Sequence, residues 1–131
     1  MEDKSIRNKL EERLIDFAAK IIGFIEQIIK NPAGNHISGQ ISRSSISSAL
    51  NYGEAQSAES RKDFVHKIKI VLKELRETHI ALRIIYKTKL VNSFQELDIL
   101  INECNELISI FVKSVETAEN NLNKKVSFKE N

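Results

Sequence analysis

Apolar residues near the start of the chain fall at Leu10, Leu14, Phe17, Ile21, Phe24 and Ile28, in alternating steps of four and three. That spacing sets them in one stripe of a helix. A second stripe lies beside it, Ile15, Ala18, Ile22, Ile25 and Ile29, so a helix predicted over residues 6–31 needs burial over a broad arc that one partner helix does not cover. Asn31-Pro32-Ala33-Gly34-Asn35 then gathers helix-breaking residues and predicts its end. A second helix is expected over 36–52, with Ile37, Ile41, Ser45, Ser48 and Tyr52 on one face and Ile46 and Leu50 on the other. Ser60-Arg61-Lys62-Asp63 and Ser93-Phe94-Gln95-Glu96 have the form of capping boxes and predict helices over 60–89 and 93–122. The third helix carries Phe64, Ile68, Val71, Leu75, Leu82 and Tyr86 inward. The fourth repeats Phe94, Leu97, Ile101, Cys104, Ile108, Phe111, Val115, Ala118 and Leu122 at heptad spacing.

Four helices with short connections predict an all-α, antiparallel up-and-down four-helix bundle, a single domain over 1–123, followed by a frayed tail over 124–131. Composition agrees: 41% hydrophobic and only 6% aromatic residues, with one proline, favour helices over a β-sandwich. Cys104 is the one cysteine, which excludes an internal disulfide and fits a reducing compartment. Leu14 to Ile29 is interrupted by Asp16, Lys20 and Glu26, and the first residues lack the order of a signal peptide. A cytoplasmic location away from membranes is therefore expected.

The serines of the second helix, Ser42, Ser44, Ser45, Ser47 and Ser48, have two readings. Inside a helix a serine hydroxyl bonds the carbonyl one turn back and leaves a small surface for close helix approach. The alternative is a solvated linker. Gln40-Ile41-Ser42-Arg43-Ser44-Ser45, then Ser47, Asn51-x-x-Glu54-Ala55 and Ser60-x-x-Asp63-Phe64 resemble the small four-helix-bundle proteins encoded within intervening sequences of bacterial 23S ribosomal RNA genes. In that family the second helix reads Gln-Leu-x-Arg-Ala-Ala-x-Ser, continues to Asn-Ile-Ala-Glu-Gly and reaches Ser-x-x-Glu-Phe. The register matches without gaps; Ser44-Ser45 stands where the family has two alanines, and Ala55 where it has glycine. On this resemblance Asn51, Glu54, Ser60 and Asp63 form an ordered structural corner between the second and third helices. Members are mostly of unknown role and are similar to the accessory protein of diversity-generating retroelements, a pentameric barrel that associates with a reverse transcriptase and with nucleic acid. The resemblance thus implies a homopentamer, assembled as a ring or barrel, and as partners RNA or DNA and a reverse transcriptase or other protein.

Charge adds a candidate surface. The chain's net charge is only +2, yet residues 61–89 hold nine Lys or Arg against three acids, while 90–123 hold one against six. At 100° per residue, Lys62, His66, Lys69, Lys73, Arg76, Arg83 and Lys87 share one line on the third helix, away from its apolar stripe. Such a line can follow a phosphate backbone. Alternatively it is a solvated face, or it pairs with the fourth helix through Glu96, Glu103, Glu106 and Glu116. No aromatic residues interleave it to make a stacking platform for single strands.

Candidate chemistry is sparse. His36, His66 and His79 stand in separate contexts, and no His-x-x-x-His, Cys-x-x-Cys or glycine-rich phosphate loop occurs, so neither a metal nor another cofactor is expected. Cys104 sits on an apolar seam, where a thiol behaves as a small hydrophobe. Asn51 and Glu54 could form a polar active pair, but capping explains them with fewer assumptions. No catalytic residue is assigned. The expectation is a non-enzymatic oligomer that binds nucleic acid through the basic face of the third helix; the alternative is a protein-interaction scaffold with no nucleic-acid role.

Overall fold

A computed structural model describes residues 4–130. They form α1 (Lys4–Ile25), α2 (Pro32–Gln56), α3 (Arg61–Thr88) and α4 (Gln95–Glu130), and no strand occurs among the described residues. Each helix packs on its neighbours in the cycle α1–α2–α3–α4–α1, with α1 and α3, and α2 and α4, on the diagonals. Cross-helix pairs run in opposite register: Glu54 meets Lys67 while Arg43 meets Glu77 across α2–α3, and Arg13 meets Glu106 while Gln27 meets Glu96 across α1–α4. Neighbours are therefore antiparallel. The core they enclose is large, with Leu14, Phe17, Ile21, Phe24, Ile41, Tyr52, Ile68, Leu75, Leu82, Leu97, Cys104 and Phe111 almost wholly buried. Tyr52 and Phe111 meet edge to face, with ring centroids 5.4 Å apart.

Three boundaries differ from the sequence-based reading. α1 ends at Ile25 rather than near residue 31; Gln27 and Ile28 donate to the carbonyls of Phe24 and Ile25 in a tightened last turn that still buries Ile28. α2 begins at Pro32, not at residue 36. Asn31 is its N-cap, its side chain accepting from the Gly34 N–H at 2.7 Å, and Pro32 occupies the first turn, where its missing N–H and fixed φ are favourable. Gly34 is sterically required there: a Cβ at this position would lie 1.8 Å from the Ile29 carbonyl oxygen. Further on, α4 is helical through Glu130, where a frayed tail from residue 124 is expected. The side chains beyond Lys124, and Asn131 itself, lie outside the described residues.

The largest correction concerns the expected corner. α2 continues through Asn51 and Glu54 to Gln56, so these two residues lie inside a helix and only Ser60 and Asp63 belong to the turn into α3. The Asn51 amide donates back to the Ser47 carbonyl at 2.9 Å, a helical i to i−4 bond, and Tyr52 and Ala55 supply buried anchors on either side of Gly53. No described glycine has positive φ. The serines do what close packing asks: Ser44, Ser45 and Ser48 are buried, and Ser48 Oγ donates to the Ser45 carbonyl at 2.7 Å. Thr78 on α3 donates to the Glu74 carbonyl, which leaves the Ser44 hydroxyl as donor to Thr78 Oγ1 at 2.6 Å. That buried pair locks α2 to α3.

Candidate nucleic-acid interface

α3 is a well-terminated scaffold. Ser60, in extended backbone, accepts from the Asp63 N–H at 3.0 Å, and Asp63 adds negative charge to the first turn, where the helix dipole favours it. At the other end Lys89 takes the left-handed conformation, φ 55°, and its N–H reaches the Ile85 and Tyr86 carbonyls. Between these caps the core line runs Val65, Ile68, Val71, Leu75, Leu82, Ile85, all buried. The opposite line is Lys62, His66, Lys69, Lys73, Arg76, Arg83 and Lys87, and every one of these side chains is exposed. From Lys62 to Lys87 the line is about 38 Å long at 1.5 Å per residue.

The acids of α4 do not neutralise it. Glu103 and Glu106 both bind Arg13 of α1, at 2.7 Å each, and Glu96 accepts from Gln27 of the α1–α2 connection. One ion pair crosses from α4 to the stripe, Lys69 with Glu119 at 2.9 Å. For Lys62, His66, Lys73, Arg76, Arg83 and Lys87 no carboxylate lies within 4.0 Å among the described residues. Of the acids in the alternative reading, Glu96, Glu103 and Glu106 thus face the α1 side and not the stripe. There the guanidinium of Arg13 hydrogen-bonds Glu103 and holds its carboxyl below the usual range, while the same bonds raise Arg13 further. Lys62, His66, Ser60 and Asp63 also line a shallow depression at the start of α3.

Two features escape sequence inspection. Ile80 and Ile84 stand on the same outer face of α3, 55% and 46% exposed, and interrupt the basic line on either side of Arg83. Arg43 of α2 is the other. Its guanidinium donates to Glu74 and Glu77 at 2.9 Å each, so the two acids within this part of α3 are spent on α2 and leave the outer line uncontested. Glu74 and Glu77 at i, i+3 were the available signal, since they share a flank of the helix.

Comparison with known proteins bears on this surface. The family model for the 23S rRNA-intervening sequence protein matches residues 7–113. The chain belongs to that family. The matched span holds all of α2 and α3, hence the complete basic line of this 23S rRNA-intervening sequence protein. Its fold is similar to the crystal structure of a protein of unknown function from the S23 ribosomal protein family of Bacteroides thetaiotaomicron, with a TM-score of 0.75 and 26% identity over 84% of this chain and 97% of that one. No curated protein matches. In this family member two other groups considered for chemistry are at least partly buried. Cys104 is buried, donates to the Leu75 carbonyl at 3.3 Å, and burial pushes its thiol up to about 12. His79 is held below its usual range by burial and by the neighbouring Arg83 charge. Among the described residues no cluster of His, Cys, Asp or Glu is arranged to hold a metal ion, and no helix is long and apolar enough to cross a membrane.

Proposed function

We propose that this family member is a non-enzymatic, cytoplasmic homo-oligomer that binds RNA or DNA through the outer face of α3. The observation that carries the reading is the line of exposed cations, all but Lys69 without a carboxylate partner among the described residues, on a helix whose acids Glu74 and Glu77 are turned onto Arg43. A cation without a carboxylate partner is free to replace counterions along a phosphate backbone. Each phosphate neutralised releases counterions, so engaging about five side chains gives a salt slope near −4 to −5 for duplex DNA. Structured RNA or duplex DNA is the ligand class that fits. The resemblance to the retroelement accessory protein supports a pentamer and a second partner, a reverse transcriptase or other protein.

Fluorescence anisotropy of labelled structured RNA and duplex DNA across a salt series tests the reading. Affinity that falls steeply with salt, and is lost in Lys69→Glu/Lys73→Glu/Arg76→Glu while the oligomer persists, supports it. The competing reading is a protein scaffold, favoured by Ile80 and Ile84 within the same face. Absence of binding at low salt, or dissociation of the oligomer in the triple variant, selects the scaffold.

A further inference from the structure

The basic line of α3 changes character halfway along. Lys62, His66, Lys69, Lys73 and Arg76 occupy an outer face without large apolar residues, whereas Arg83 and Lys87 each stand three residues after an exposed isoleucine, Ile80 and Ile84. Three-residue spacing puts each cation beside its isoleucine on the helix surface. That second half is therefore an apolar pair rimmed by positive charge.

A larger apolar face with the opposite rim lies on α1 and α2. Ile15 and Ile22 of α1 are 44% and 49% exposed, and Ile46 and Leu50 of α2 are 37% and 63% exposed. The Glu11 carboxylate lies 3.4 Å from the Cβ position of Gly53, which sets α1 residue 11 opposite α2 residue 53. With antiparallel helices, Ile46 then falls opposite Ala18, between the levels of Ile15 and Ile22, and Leu50 lies one turn farther along α2. The four side chains form one patch. Glu11 and Glu12 precede Ile15 by four and three residues, and Glu26 follows Ile22 by four, so acids border the patch on the α1 side, while Arg43, three residues before Ile46, is engaged by Glu74 and Glu77. None of these three acids has a basic partner within 4.0 Å among the described residues.

We propose that the Ile15–Ile22–Ile46–Leu50 face of one copy takes the Ile80–Ile84 ridge of a second copy, head to tail, with Arg83 and Lys87 set against the Glu11–Glu12–Glu26 rim. The charge pattern decides for this occupant. A two-fold contact of the α1–α2 face with itself would oppose acid to acid, and the α3 ridge with itself would oppose Arg83 and Lys87 to their own copies; only the unlike faces are complementary in both apolar content and sign. α1 and α3 lie on the diagonal of the bundle with their outer faces pointing apart, so a copy seated on one leaves the other free. A contact between unlike faces repeats and closes into a ring when its rotation permits. The inference rests on the homo-oligomeric part of the reading above, and it reassigns Arg83 and Lys87 from nucleic acid to the subunit contact.

Face-blocked variants test it by sedimentation velocity. Ile15→Asp/Ile22→Asp removes the receiving face and Ile80→Asp/Ile84→Asp removes the ridge; all four side chains are exposed, and far-UV circular dichroism checks that both variants fold. The wild type is expected to assemble and each variant to sediment as a monomer, whereas an equimolar mixture forms a heterodimer of twice the 15.0 kDa chain mass, because each variant retains the face the other lacks. A monomeric wild type, a variant that still assembles by itself, or a mixture that stays monomeric overturns the proposal. The two readings fail separately. A wild-type oligomer unaffected by either variant sinks this contact and leaves the oligomer standing, and RNA anisotropy on the Ile15→Asp/Ile22→Asp monomer, whose α3 is intact, reports on nucleic-acid binding alone.

Discussion

The α1–α4 seam and the outer face of α3 handle charge in opposite ways. At the seam Arg13 binds Glu103 and Glu106, a fork of cation and carboxylates that engages two acids of α4 and depresses Glu103. On the outer line of α3 the cations run in a row, and among the described residues Lys69 is the one member that meets an acid. Both regions are helical, solvent-facing on one side and anchored by the same core, so the difference is one of use: paired charge holds helices together, and unpaired like charge on a rigid helix is a surface for something outside the chain. Net charge of +2 conceals this division entirely.

The comparison is most open to attack at the unpaired side. Reversing Lys69, Lys73 and Arg76 to Glu is expected to lower RNA or duplex affinity by about a hundredfold at moderate salt and to flatten the salt slope by about 3, each phosphate contact contributing about one to the slope. Anisotropy titrations check both. A triple variant that keeps its slope dissociates α3 from the binding surface. The paired side should respond in stability instead. Arg43→Ala strands the nearly buried Glu74 carboxylate without its guanidinium and is expected to cost roughly 1–3 kcal/mol in urea unfolding, with RNA affinity within twofold of wild type. At the seam the pH response has a definite sign. Glu103 is held down in the folded state, so its contribution is present above the ordinary carboxylate range and is lost as pH falls through the folded value; Glu103→Gln should flatten that part of the acid limb in pH-dependent denaturation. Smallest of all, Lys69→Ala removes a half-exposed pair with Glu119 and should shift stability by about 0–1 kcal/mol while still reducing the salt slope.

Much of this was readable in the residues, and the failures have physical causes. Helix starts with a side-chain cap are local events, which is why Ser60 announces α3 within one residue. Ser93 is a weaker case: its Oγ lies 3.4 Å from the Gln95 N–H and Glu96 turns to Gln27, so α4 starts at Gln95 without the reciprocal box. Asn31-Pro32 carried two meanings, a stop for α1 and a start for α2, and the second prevails because proline costs nothing in a first turn. The corner at Asn51–Glu54 misled because asparagine and glycine mark turns on average, whereas here Tyr52 and Ala55 bury the segment and the Asn51 side chain bonds back along the helix. Strict heptad counting also drifts against 3.6 residues per turn. Thus Ile85 rather than Tyr86 enters the core, Tyr86 being 45% exposed, and Leu100 and Leu107 are buried deeper than the neighbouring Ile101 and Ile108. The basic line was legible in full. Its interruption by Ile80 and Ile84 was not, because an apolar residue on a helix declares its face only once the core line is known.

Cys104 turns the fold into its own gauge. It is the chain's one sulfhydryl, sealed at the α3–α4 contact and, with its thiol at about 12, protonated at neutral pH. An alkylating reagent must therefore wait for α3 and α4 to part, and the labelling rate counts those openings. A partner that clamps α3 slows the count and one that merely grazes the surface leaves it unchanged, so a single native atom reads out how firmly the bundle is held.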